Sequence, residues 1–162
     1  MAVLPIVQLG DPILRLPTIR VVRFDRTLGH LIDDMTETMR DAPGVGLAAN
    51  QIGRTERVCV IEIEGRHIEL VNPVMVRTSG TQEDLEGCLS VAGYYAPTVR
   101  ANQAVVTGQD RRGRPVRVSG RGFLARALQH ELDHLDGRIY VDVAELAAIK
   151  QVGDEDEDDQ DD

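Results

Sequence analysis

Two histidines stand four residues apart in the run Gln129-His130-Glu131-Leu132-Asp133-His134, with a glutamate directly after the first. Residues four apart on a helix share a face, so both imidazoles can converge on one metal ion while Glu131 projects toward whatever the ion binds. Two ligands and an adjacent base point to hydrolysis. A catalytic ion usually takes three protein ligands and keeps one position open. Asp136, Asp142 and Glu145 follow the motif closely, but only a short chain remains to fold a carboxylate back. Upstream, Cys88 lies in Glu86-Gly87-Cys88-Leu89-Ser90. Its thiolate suits zinc or ferrous iron, and Gly87 lets the backbone approach closely. Cys59, inside the apolar run Arg57–Ile63, reads instead as a small buried hydrophobe. Gly44-Val45-Gly46-Leu47-Ala48-Ala49-Asn50-Gln51-Ile52-Gly53 lacks both the last glycine of a dinucleotide fingerprint and the Gly-Lys-Ser/Thr of a phosphate loop. It does contain Gln51, a neutral amide donor suited to an oxyanion.

The surrounding pattern supplies elements to carry these groups. Gly120 and Gly122 approach a helix whose apolar stripe is Phe123, Leu124, Ala127, Leu128 and Leu135, with Gly137 as a stop signal. From Asp25 to Arg40, Leu28, Leu31, Ile32, Met35 and Met39 recur at helical spacing, with Asp25 as N-cap and Pro43-Gly44 closing the region. Strands are expected around Arg57 to Ile63, Ile68 to Val71, Val74 to Thr78, Gln82 to Glu86, Ala104 to Asp110 and Val116 to Ser119. A short strand from Arg138 to Val141 and a helix from Asp142 to about Lys150 complete the pattern. Few strands are separated by crossover helices, which predicts an α+β fold. In it, mostly antiparallel short strands surround a central helix carrying H-E-x-x-H, with an N-terminal and a short C-terminal helix.

Composition narrows the function classes. The chain has 162 residues, one domain by length, and is only 3% aromatic without tryptophan, so aliphatic side chains must fill the core. Its N-terminus lacks a basic segment followed by a long apolar stretch, and no run approaches membrane length. Two cysteines fit a reducing compartment. The net charge of −9 argues against a nucleic-acid surface. Most of it comes from the eight carboxylates of Gly153–Asp162, a stretch expected to be disordered. The expected organisation is a catalytic domain over 1–150 and an acidic tail over 151–162.

Taken together and in order, Gly44 to Gln51, Glu86 to Ser90 and Gln129 to His134 make the chain resemble the peptide deformylase family. The likeness runs from Gly10-Asp11-Pro12-Ile13-Leu14-Arg15 through His134-Leu135-Asp136-Gly137 to Asp142. The resemblance implies removal of the formyl group from the N-formylmethionine that starts nascent bacterial chains. It assigns Cys88, His130 and His134 to one divalent metal ion, ferrous iron in the cell with zinc, nickel or cobalt as substitutes. Glu131 becomes the base, and Gln51 and the Leu89 backbone N–H become oxyanion donors. Val45, Gly46, Gly87, Leu89 and Ala127 would border the methionine pocket or bind the peptide backbone. Glu86 and Arg100 match positions that form an ion pair in the family. Two residues depart from the pattern. Arg126 stands where relatives often carry an aliphatic residue, its stem expected to line a pocket with the guanidinium in water. Ala92 replaces a common proline, which would loosen its loop. A cytoplasmic monomer is implied, acting on formylmethionyl nascent peptides and associating transiently with the ribosome, without membrane or direct nucleic-acid binding. Two competing readings are a zincin-like metallopeptidase, in which Cys88 would be dispensable for the metal, and a non-enzymatic metal-binding module, in which Glu131 would have no task.

Overall fold

The computed structural model describes residues 2–144 and 149–151. In chain order it places a 3-10 turn at Pro12–Arg15, helix α1 (Arg26–Asp41), strand β1 (Gly46–Ala48), a 3-10 turn at Ala49–Ile52, and strands β2 (Val58–Ile63), β3 (Arg66–Ser79), β4 (Gln82–Gly87), β5 (Tyr94–Arg100), β6 (Gln103–Gln109) and β7 (Pro115–Arg121). Helix α2 (Gly122–Leu135), a 3-10 turn at Tyr140–Asp142 and strand β8 (Lys150–Gln151) follow. A five-stranded sheet has the order β1-β2-β3-β6-β7 and a three-stranded sheet the order β4-β5-β8. Every pairing between these strands is antiparallel, as expected for an α+β chain without crossover helices. Among the described residues, no helix is long and apolar enough to cross a membrane.

The period of two along β2 organises the core. Val58 and Val60 point to one face of the large sheet, where they pack with Leu28, Leu31, Ile32, Met35 and Met39 of α1. Cys59 and Ile61 point to the other, against Ala125, Ala127, Leu128, Leu132 and Leu135 of α2. Cys59 is thus the buried hydrophobe its run suggested. Helix α1 begins where Asp25 accepts a hydrogen bond from the Leu28 N–H at 3.1 Å. Helix α2 stops at Gly137, whose φ of 81° favours glycine. A Cβ there would also meet the Arg15 carbonyl oxygen at 2.6 Å.

Several boundaries differ from the sequence pattern. The two strands expected at Ile68–Val71 and Val74–Thr78 are one strand, β3, with a register shift between Val71 and Val74. Asn72, at φ 52°, makes this bulge, and its side chain bonds both the N–H and the C=O of Val21 at 2.8 Å. Pro73 fits there because a bulge asks for no ladder donor. Strand β5 was not expected. Its Pro97 lies opposite Leu85 of β4, and among the described residues β8 pairs with Tyr94 and Tyr95. Arg138–Val141 is not a strand. Asp142 accepts from the Ile139 N–H at 2.9 Å, which folds the segment into a turn and buries Ile139 and Tyr140. The helix expected from Asp142 to Lys150 is replaced at its start by this turn and at its end by β8, and residues 145–148 lie outside the described residues. Phe123, placed in the apolar stripe by spacing, is 54% exposed. The tail residues 152–162 also lie outside the described residues.

Candidate metal centre

Strand β4 ends at Gly87 and delivers Cys88 to the buried face of α2, where His130 and His134 are one turn apart. His130 Nε2 lies 3.2 Å from His134 Nε2, and Cys88 Sγ lies 3.2 Å from His134 Nε2. One donor atom from each of the three residues lies within 4.8 Å of the other two. Donors bound at about 2.0 to 2.3 Å to one tetrahedral ion stand roughly 3.3 to 3.8 Å apart, so this set matches a single ion in both spacing and chemistry. The carboxylates closest in sequence serve elsewhere. Asp136 pairs with Arg57 at 2.8 Å and Asp142 with Arg15, while Glu145 lies outside the described residues.

The surroundings favour a cation at this point. Glu86 places Oε1 3.3 Å from His130 Nδ1, which turns Nε2 toward the centre. Burial alone would raise the Glu86 carboxyl, but contacts with His130 and Arg100 outweigh it and hold the group below the usual range. Arg100, buried, reaches Glu86 at 2.9 Å and also bonds Asp133. Burial pulls the His130 imidazole down, yet Cys88 and Glu86 outweigh it and raise the group well above its ordinary range. His134 is pushed the other way, first by burial and next by the charge of His130, so its imidazole is neutral and offers a lone pair. The His134 carbonyl accepts from Asn50 Nδ2, which anchors the end of α2 to the Ala49–Ile52 turn.

Beside the centre lies a cavity of about 770 Å³. Glu131 reaches its wall with a side chain only 3% exposed overall, and its Oε2 has no hydrogen-bond partner among the described residues. Burial pushes its carboxyl up to about 7 despite the opposing charge of His130. That value suits a group that takes and returns a proton near neutrality. Gln51 is fixed by its own carbonyl, which accepts from the Ala48 N–H at 2.9 Å. Its Nε2 then faces Ser90 Oγ at 3.1 Å and Cys88 Sγ at 3.5 Å. An amide donor therefore faces Cys88, and the Glu131 carboxyl lies 3.9 Å from His130 Nε2.

Comparison with known proteins shows the family. The model of the family described as polypeptide deformylase matches residues 3–149. The chain belongs to that family. A peptide deformylase of Heliobacterium modesticaldum is 50% identical over 145 residues, covering 90% of this chain and 96% of that protein. A crystal structure of a peptide deformylase from Legionella pneumophila superposes with a TM-score of 0.87 at 46% identity, covering 90% of this chain and 88% of that one. Another, from Synechococcus elongatus in complex with actinonin, gives 0.85 at 43% identity, with 88% and 79% covered.

Within this deformylase the residues expected at the site converge. Val45, Gly46, Gln51, Gly87, Cys88, Leu89, Ala127, His130 and Glu131 all line the cavity, with His134 buried behind them. Arg126 departs from expectation. Its guanidinium is not in water: the residue is 3% exposed and donates through Nη2 to the Thr98 carbonyl at 2.9 Å. Sequence reasoning also missed an N-terminal strap. Val7 N–H donates to the Gln51 carbonyl and Leu9 N–H to the Ser90 carbonyl, both at 2.7 Å. Between them Gln8 donates to the Leu89 carbonyl at 2.9 Å and accepts from the Ala92 N–H at 3.2 Å. The Ala92 loop is thereby bonded to the strap. Ile6, Gln8 and Phe123 reach the cavity wall as well; Phe123 belonged to the expected stripe of α2, and the signal nearest Ile6 and Gln8 was the family-like segment that starts at Gly10.

Proposed function

We infer that this chain is a metal-dependent hydrolase that removes the N-formyl group from N-formylmethionine at the start of nascent polypeptides, releasing formate. The carrying observation is the convergence of Cys88, His130 and His134 beside buried Glu131 at one wall of a cavity, in a chain that belongs to the polypeptide deformylase family. Cys88, His130 and His134 would hold the ion. Ferrous iron is the ion proposed for the cell, with zinc, nickel or cobalt as substitutes, since one thiolate and two imidazoles accept each of them. Such an ion supplies Lewis acidity and lowers the pKa of water from about 15.7 to about 7.

The chain's own groups do the rest. Glu131 accepts a proton from the attacking water, whose oxygen bonds to the formyl carbon. The Gln51 amide and the Leu89 backbone N–H donate to the formyl oxygen as it gains negative charge. Glu131 then returns the proton to the amine nitrogen as the C–N bond breaks, leaving formate and a free N-terminal methionine. Val45, Gly46, Gly87, Leu89 and Ala127 form the walls that receive the methionine and the peptide backbone. The protein works as a cytoplasmic monomer that meets its substrate at the ribosome, and the carboxylates of its tail add no attraction for RNA.

Formate release from a formyl-Met peptide tests the reading, with acetyl-Met and an internal peptide bond as controls. Rapid release from the formyl peptide alone is expected. Cleavage of the internal bond, with metal retained in Cys88→Ala, would replace the reading with a zincin-like peptidase. Metal binding without any hydrolysis would leave a binding module.

A further inference from the structure

The Leu89 backbone N–H has no side chain to aim it, so its direction is set by the peptide planes around it. The plane that carries it also carries the Cys88 carbonyl, which accepts from the Val91 N–H at 3.0 Å. The next plane is held from outside the loop. Gln8, on the N-terminal strap, donates through Nε2 to the Leu89 carbonyl at 2.9 Å and accepts through Oε1 from the Ala92 N–H at 3.2 Å. One carboxamide thus spans loop 89–92 from its first carbonyl to its last N–H. Its second amide hydrogen faces the Ile6 carbonyl at 3.3 Å. Gln8 borders the cavity, yet both amide hydrogens are committed, which leaves no donor for substrate. On either side of it, Val7 bonds the Gln51 carbonyl and Leu9 the Ser90 carbonyl, both at 2.7 Å. Residues 7–9 therefore touch both residues assigned to the oxyanion, Gln51 and Leu89.

We propose that Gln8 is a positioning residue for the reaction, clipping loop 89–92 so that the Leu89 N–H points at the formyl oxygen before the oxyanion forms. The proposal rests on the deformylase reading of the site. Donors serve an oxyanion through preorganisation, because a loop that must reorient during the reaction offsets part of what the hydrogen bond contributes. Gln8 is exposed, so its bonds compete with water and add little to global stability. Their effect is on aim. The two halves of the clip are separable. The Ala92 half needs a backbone N–H, which a proline at position 92 lacks. The Leu89 half needs an N–H on the side chain of residue 8, which an ionised glutamate lacks.

The test measures kcat, KM and metal content on a formyl-Met peptide for the wild type, Gln8→Ala, Gln8→Glu and Ala92→Pro, with hydrogen exchange at the Ala92 amide in the first three. Gln8→Ala should lower kcat roughly tenfold, a part of the about 100- to 1,000-fold that outright removal of an oxyanion donor costs. Its KM should stay within about twofold of wild type, with metal content unchanged. Gln8→Glu should fall at least as far in kcat. Exchange at the Ala92 amide should quicken in Gln8→Ala and stay slow in Gln8→Glu, which still accepts from it. Ala92→Pro, which keeps the Leu89 half, should retain kcat within about threefold. Unchanged kcat in both Gln8 variants would reduce Gln8 to a structural tie, and a rise in KM alone would make it a ground-state contact; either overturns the proposal. Loss of metal in the Gln8 variants would overturn it too, since Gln8 would then act through Cys88. Absence of formate release by the metal-loaded wild type would instead refute the deformylase reading.

Discussion

Gly46→Ala isolates the position of Glu131 from its chemistry. A Cβ at residue 46 would stand 2.6 Å from Oε1, 2.9 Å from Cδ and 3.0 Å from Cγ of Glu131. Ordinary contact begins at 3.4 Å, so the carboxylate must retreat by about 0.8 Å, a displacement of the size that costs on the order of 100-fold when it misaligns reacting groups. The backbone cannot easily give instead, because Gly46 pairs with Ile61 in the large sheet. The open direction is the cavity that Glu131 lines, which carries the carboxylate out of its place beside His130. A fall in kcat/KM of roughly 100-fold in the formate assay is expected, with full metal content and a nearly unchanged melting temperature, since no ligand and no core side chain is touched. In a Glu131→Gln background the same substitution should cost little more, because the group it displaces is already disabled. Activity within about threefold of wild type, or a loss of equal size in both backgrounds, would refute the steric argument.

Glu131→Gln should keep its metal and lose most turnover, at least about 100-fold, because the proton carrier is gone; near-normal formate release from the fully loaded variant would remove Glu131 from the chemistry. The same substitution has a signature in the metal-free protein: with its carboxyl raised to about 7 from an ordinary 4.5, the folded state binds a proton that the unfolded state has released, so stability falls as pH rises through that window. Melting curves of both metal-free proteins from pH 5 to pH 8 should diverge in favour of the glutamine variant, and parallel curves would contradict the shift. Gln51→Leu should lose about 2.7 to 4 kcal/mol of transition-state stabilisation, mostly in kcat. It should also lower the urea midpoint by orphaning the Ala48 N–H; a change in KM alone would mean that Gln51 only binds the ground state. Glu86→Ala should weaken metal binding by roughly 10- to 100-fold in a chelator competition. It leaves the buried Arg100 with Asp133 alone, so stability should fall by about 1.5 to 3 kcal/mol, and an unchanged competition curve would deny Glu86 its hold on His130.

Local pattern accounts for what could be read in advance. His130, Glu131 and His134 declare their shared face because helical spacing is a short-range property, and α1 and its Asp25 cap are legible for the same reason. Cys88 was legible by chemistry rather than by distance: a thiol between glycine and serine makes a poor core residue, although its partners lie more than forty positions away. The contacts that complete the site join residues whose spacing carries no period. Glu86 at His130, Asn50 at the His134 carbonyl and Gln8 at Leu89 meet only because two sheets and a strap bring them together. Two proline-containing stretches were not read as parts of strands: Pro73 sits in β3 beside the bulge at Asn72, and Pro97 sits in β5 opposite Leu85. Arg126 misled because an arginine at the edge of an apolar stripe ordinarily snorkels outward, whereas β5 offers it the Thr98 carbonyl indoors.

The strap also sets when the site can exist. Residues 7 to 9 are made before the rest of the site, yet their hydrogen-bond acceptors are Gln51, Leu89 and Ser90, the last two separated from them by 81 positions. Until the chain has grown past Ser90, the strap has only Gln51 to close upon. Such long loops are slow to form because closure entropy is lost before any contact rewards it. The pocket is therefore a late product of folding, and its earliest-made segment is among the last to find its place.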